Sequence, residues 1–177
     1  MSFPMTRLRL LAFALLTVGF TACLDTTSPQ YNTVENTTFD PSLGVDLSAS
    51  QATDLGVYYR DITVGTGATI APGQDNYMFY RAYLSSGVKF DSLQPPNPPA
   101  TFRIGTNPPS LITGFEIGLQ GMKVGGRRQI LVPPAVAYGL QDLLGPNNTV
   151  IIPGNSVLVF DVELVNADGS PVVQPAQ

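Results

Sequence analysis

Between residues 157 and 165 the chain alternates strictly. Leu158, Phe160, Val162 and Leu164 fall on one parity; Val157, Val159, Asp161, Glu163 and Val165 fall on the other. A period of two over that length predicts an antiparallel strand with one buried face. Shorter runs carry the same signal. Residues 57–64 end at Gly65-Thr66-Gly67, and residues 77–84 set Met78, Tyr80, Ala82 and Leu84 on one face. Ser85-Ser86-Gly87 predicts a hairpin turn, with Val88-Lys89-Phe90-Asp91 opening the return strand. Residues 101–104 are short and extended. Residues 127–132 put Arg128, Ile130 and Val132 on one side, and Pro133-Pro134 ends the run because proline cannot donate to a ladder. One segment has helical spacing: Leu111, Ile112, Phe115 and Leu119 follow Pro108-Pro109, with Ser110 as the predicted N-cap. Gly114, Gly118 and Gly121 make it weak alone, so packing must hold it. The pattern predicts an α+β fold, an antiparallel, strongly twisted sheet of about five strands wrapped around one short helix.

The flanks break this pattern. Residues 24–52 are rich in Thr, Ser, Asn, Asp and Pro, with scattered Tyr31, Val34 and Phe39 at no regular period. They are expected to form a flexible polar tether. Ahead of them, Arg7 and Arg9 precede the uncharged apolar residues 10–20. A bilayer-spanning helix needs ~20 such residues, so residues 1–23 fit a signal peptide better than a membrane span. Phe20-Thr21-Ala22-Cys23 resembles the bacterial lipobox, which implies acylation of Cys23 and durable anchoring at ~0.8 kcal/mol per buried methylene. The alternative is an unmodified, free Cys23. Residues 53–167 are expected to be the folded domain and residues 168–177 a tail.

Composition removes most chemistries. A chain of 177 residues that is 44% hydrophobic can bury one core. With 12% charged residues and a net charge of −4 it has no electrostatic footprint for nucleic acid. It contains no His and a single Cys, so a pocket in the domain works without imidazole or thiol. Nucleophilic triads fall away for the same reason. Asp142, Asp161, Glu163 and Asp168 lack metal-loop spacing, and Gly65-Thr66-Gly67 lacks the third Gly of a dinucleotide loop. No metal or cofactor is expected. What is left over, once the core strands are counted, is Tyr80, Phe90, Asp91, Leu111, Ile112, Phe115, Tyr138, Ile152 and Phe160. Most of these would be core packing in an ordinary domain. Asp91 discriminates, because a carboxylate beside aromatic residues has no packing use.

In order along the chain, Tyr80 to Asp91, Leu111-Ile112-Thr113-Gly114-Phe115, Gly121-Met122-Lys123-Val124-Gly125-Gly126-Arg127-Arg128, Pro134-Ala135-Val136-Ala137-Tyr138-Gly139, and Ile151-Ile152-Pro153 with Leu158 to Leu164 resemble the FKBP-type peptidyl-prolyl cis-trans isomerases. The resemblance covers about residues 55–165. It implies an aromatic pocket that desolvates and twists the X-Pro amide. Phe115 would be the floor, Tyr80, Phe90 and Phe160 the walls for the pyrrolidine ring, and Leu111 and Ile112 the side. The Ile112 N–H and the Tyr138 hydroxyl would bind carbonyls, Ile152 would close the rim, and Asp91 would set the polarity at the twisting bond. Three departures stand out: Phe115 replaces the usual floor Trp, Ala100 replaces an aromatic, and Gln94-Pro95-Pro96-Asn97-Pro98-Pro99 leaves no Arg to pair with Asp91. The implied partners are proline-containing unfolded or extracytoplasmic polypeptides. The protein is expected to be a monomeric, periplasm-facing lipoprotein held to the membrane through Cys23. A non-catalytic polypeptide-binding or holdase module on the same fold is the alternative.

Overall fold

A computed structural model describes residues 30–170. Its elements, in chain order, are β1 Gln51–Ala52, β2 Tyr58–Thr63, β3 Asn76–Leu84, β4 Lys89–Leu93, β5 Ala100–Phe102, α1 Thr113–Leu119, β6 Arg127–Val132, β7 Leu143–Leu144, β8 Val150–Ile152 and β9 Leu158–Val165. Seven strands form one antiparallel sheet in the order β1-β2-β6-β9-β3-β4, with β5 also paired to β3. β7 and β8 make a separate hairpin. The sheet is larger than the five or so strands expected because a two-residue strand such as β1 has no period to read.

The parities predicted from sequence hold on the side that faces the helix. Met78, Ala82, Ile130, Val132, Leu158, Phe160, Val162 and Leu164 join Phe115 and Leu119 in one core, with Tyr80 and Leu84 at its margin. Burying each large apolar side chain contributes roughly 1.5–3 kcal/mol, which outweighs the poor propensity of a seven-residue, glycine-containing helix. Those glycines are needed for packing. A Cβ on Gly118 would sit 2.2 Å from Ile130 Cγ2, and one on Gly114 would sit 2.4 Å from Val132 Cγ1. Arg128 is buried at the helix end, where its guanidinium donates to the Gly118 and Gln120 carbonyls, pairs with Asp61 and lies over the Tyr59 ring.

Two sequence expectations need correction. Ser110 does not cap the helix: its hydroxyl donates to the Arg103 carbonyl at 2.7 Å, and Ile112 occupies the N-cap with no side-chain cap bond. Nor is the stretch up to residue 52 a free tether over its described part. Val34 is fully buried with Leu131, Val157 and Val159, and Phe39, Leu43, Val45 and Leu47 pack against them. The strap therefore covers part of the sheet's second face. This strap shows no period because it forms no long element. It drops single side chains onto the sheet before, within and between two 3-10 turns, whose Asp40 and Asp46 carboxylates accept from Ser42 N and Ser48 N. Its start is pinned at Asn155, whose side-chain oxygen accepts from Asn32 N at 2.8 Å and whose carbonyl accepts from Asn32 Nδ2 at 2.7 Å. Asn155 N in turn donates to the Gly139 carbonyl at 2.8 Å. The signal segment and Cys23 lie outside the described residues. Among the described residues no helix is long and apolar enough to cross a membrane.

Candidate functional site

A cleft of about 520 Å³ opens where the start of α1 meets β3, β5 and β9. Phe115 forms its floor. The ring stacks on Phe160 at 4.4 Å between centroids and 25° between planes, and both side chains are buried. Phe160 is there because its parity in β9 faces the helix, and Tyr80 reaches the same cleft from β3 for the same reason. Leu111 and Ile112 line one side from the extended approach to α1. The Ile112 N–H has no hydrogen-bond acceptor among the described residues, as the first donors of a helix often do not.

The polar side of the cleft depends on an irregularity. In the β3–β4 ladder Ala82 pairs with Asp91 but Tyr83 pairs with Lys89, so Phe90 is the extra residue of a bulge. In a regular strand neighbours point to opposite faces; a bulge cancels that alternation locally. Phe90 and Asp91 can therefore serve the same side. Phe90 meets Phe160 edge-on at 6.3 Å and 86°, while Asp91 Oδ2 accepts a 2.7 Å hydrogen bond from the Tyr80 hydroxyl. Asp91 Oδ1 accepts from Ser92 N at 2.8 Å. These two bonds orient the carboxylate in place of the absent arginine. Burial, followed by the bond to Asp91 and its charge, pushes the Tyr80 phenol up to about 12. Tyr138, 41% exposed at the mouth, is also raised, first by burial and then by the Asp91 charge. Both phenols stay protonated, and so remain donors, at neutral pH.

Seven of the nine residues singled out from sequence line this cleft: Tyr80, Asp91, Leu111, Ile112, Phe115, Tyr138 and Phe160. Phe90 stands behind Phe160 as a support. Ile152 does not close the rim. It is 2% exposed in the main core, at the inner end of β8, whose first two residues, Val150 and Ile151, are exposed. The residues missed from sequence are Met78, Phe102, Thr101, Pro109 and Ser110. Phe102 was detectable in principle: Phe102 and Ile104 alternate with Thr101 and Arg103, and both are buried. Ala100 does line the cleft, opposite Met78 in the ladder, so the wall there is thin.

Comparison with known proteins gives the same picture. The family model for FKBP-type peptidyl-prolyl cis-trans isomerase matches residues 67–165. FK506-binding protein 4 of Chaetomium thermophilum is 39% identical over 125 residues, which cover 71% of this chain and 23% of that protein. Such curated relatives are longer: the chain spans 21% to 43% of their lengths. Among solved structures, AtFKBP13 superposes with a TM-score of 0.59 at 32% identity, covering 66% of this chain and 97% of that one. FkpA from Escherichia coli does so with a TM-score of 0.56 at 29% identity, covering 70% and 53%. With more than half of its length matched in one continuous stretch, and with the aromatic cleft inside that stretch, this chain belongs to the FKBP-type peptidyl-prolyl cis-trans isomerase family.

Proposed function

We propose that the domain catalyses cis-trans isomerisation of X-Pro bonds in polypeptides. The observation that carries this is the convergence of Phe115, Phe160, Tyr80, Tyr138 and Asp91 on one cleft from five separate segments. The uncatalysed barrier is ~18–20 kcal/mol, because the planar amide must give up its resonance. The planar form is also the more charge-separated one, and water stabilises it. Seating the proline ring on Phe115 against Phe160 removes that water. The Ile112 N–H and the Tyr138 hydroxyl then hold substrate carbonyls while the C–N bond turns between them. Asp91 faces the carbonyl carbon as it loses electron donation from nitrogen, so its negative charge favours the twisted form over the planar one. No covalent step is involved.

The sequence also supports export and lipidation. The basic start, the apolar residues 10–20 and Cys23 at the end of that run fit a lipoprotein leader, which would place the isomerase beside a membrane facing extracytoplasmic chains. Mass spectrometry of the mature N-terminus tests this: a diacylated or triacylated Cys23 supports it, and an unmodified peptide spanning Cys23 rejects it. For the activity, a protease-coupled assay on a Leu-Pro tetrapeptide is decisive. The wild-type chain accelerates isomerisation, and Phe115→Leu, which keeps bulk but loses the ring stacked on Phe160, lowers kcat/KM about tenfold. A wild-type rate equal to the spontaneous one refutes the enzyme and leaves a polypeptide-binding module.

A further inference from the structure

Side chains alternate along β3 and β9, so the residues next to Tyr80 and Phe160 lie on the opposite face of the sheet from the aromatic cleft. Arg60, Gln129, Asp161 and Arg81 are consecutive cross-strand partners over β2, β6, β9 and β3, forming one polar row across that face. The strap edge at Ser42 to Gly44 runs alongside it, and between them lies a cleft of about 510 Å³. It matches the aromatic cleft in volume but not in chemistry.

The row is incompletely satisfied. Arg127, which also lines the cleft, holds Asp161 through a bidentate pair. The Arg81 guanidinium has only a 3.9 Å contact to that same carboxylate and makes no hydrogen bond among the described residues. Arg60 is 3.9 Å from Asp46 at the rim and donates through Nη2 to the Gly44 carbonyl at 2.8 Å. Glu163 is the cross-strand partner of Arg127. Within the lining itself, three guanidiniums face one carboxylate. Gln129 is 8% exposed and donates from Nε2 to the Leu43 carbonyl at 2.8 Å. Arg60 Nε and Gln129 Oε1 are buried without any partner, and among the described residues no other side-chain atoms share that condition. Both belong to this cleft. A buried donor lacking an acceptor, beside a buried acceptor lacking a donor, marks a place where the present cover is incomplete.

We propose that this cleft is a second polypeptide-binding site that takes an extended acidic segment. A carboxylate supplies the acceptors for Arg81 and Arg60 in the planar fork geometry that guanidinium favours, and displacement of the Leu43–Gly44 edge lets a backbone N–H of the same segment reach Gln129 Oε1, which that edge otherwise covers. The segment enters at the Leu43–Gly44 edge, its oxygens replacing the Gly44 carbonyl on Arg60. A free, fully ionised oxyanion offers no donor for Gln129. The choice of polypeptide as occupant rests on the isomerase reading, whereas the unsatisfied row does not. A client could be held on this face while its proline is turned on the other.

The test is a titration of the full chain, followed by amide NMR, with an acetylated, amidated, proline-free peptide of alternating Gly, Asp and Glu. Parallel arms use the Asn/Gln version of that peptide and inorganic phosphate. Saturable shifts are expected at Arg60, Arg81 and Gln129 and none at Phe115 or Tyr138. Arg81→Gln, an exposed change that leaves packing intact, weakens binding about tenfold, and Arg60→Gln repeats the effect. The proposal is overturned if no shift saturates by about 5 mM peptide, a ceiling set by millimolar affinity. It is equally overturned if the neutral peptide binds as well, if phosphate binds and the peptide does not, or if Arg81→Gln changes nothing. Acidic-peptide binding in a chain with no prolyl-isomerase rate would sustain this site and sink the enzyme reading instead.

Discussion

Tyr80→Phe removes one oxygen and isolates the part the Tyr80–Asp91 bond plays. Among the described residues the Tyr80 hydroxyl is the only side-chain donor to Asp91, at 2.7 Å, and Ser92 N is the other partner. A hydrogen bond to a charged group is worth about 1.5–3 kcal/mol when both ends are shielded. Asp91 is exposed, so water replaces much of the lost bond, and about 1 kcal/mol remains. If that energy acts only when the amide twists, kcat/KM falls about fivefold with KM nearly unchanged. The protease-coupled assay on a Leu-Pro tetrapeptide reads this directly. Asp91→Ala should lower the rate further, and adding Tyr80→Phe to it should cost nothing more, since the two act as one unit. A Tyr80→Phe rate within experimental error of wild type, or losses that simply add in the double variant, would show that the bond does not orient the carboxylate for catalysis.

Val34→Ala deletes two fully buried carbons, worth about 1.6 kcal/mol in transfer and about 2–2.5 kcal/mol with the cavity left behind, so Tm should drop roughly 4–10 °C; Val88→Ala, at 59% exposed, is the control and should move it little, and equal Tm values for both would mean that the strap is not part of the folded unit. The Tyr80 phenol is raised to about 12 from its ordinary 10, so the folded state holds that proton more tightly than the unfolded chain does. Its stabilisation is fully present below pH ~10 and is lost as pH climbs through ~12, so urea denaturation should show the wild-type advantage over Tyr80→Phe constant from about pH 7 to 9.5 and shrinking above that. An advantage that already decays between about pH 8 and 9 contradicts the raised phenol.

What could be read from the sequence was whatever obeyed a period. Tyr80 and Phe160 were placed correctly because each sits on the inward parity of a long strand, and Phe115 because helical spacing put it with Leu119. The bulge at Phe90 was invisible: alternation assigns Phe90 and Asp91 to opposite faces, and only the family resemblance put them on one side. Ile152 is expected at the rim from the resemblance alone, and the three residues of β8 are too few for a pattern that would show it sunk into the core instead. Ser110 has the right residue type for a cap, but its hydroxyl found the Arg103 carbonyl. The strap escapes pattern reading for a related reason. Its buried side chains, at positions 34, 39, 43, 45 and 47, follow the contour of the sheet and not any repeat of their own. Side-chain pattern reports regular elements; it is silent about irregular chain that packs just as tightly.

The Asn32–Asn155 clasp has a mechanical consequence. Whatever tugs on the polypeptide ahead of residue 30 loads that clasp first, and from Asn155 the strain passes through a single peptide-to-peptide bond to Gly139, next door to the Tyr138 phenol. The start of the strap is thus tied off at the mouth of the aromatic cleft. A domain pulled from its N-terminal side would register that force beside Tyr138 before any strand began to peel.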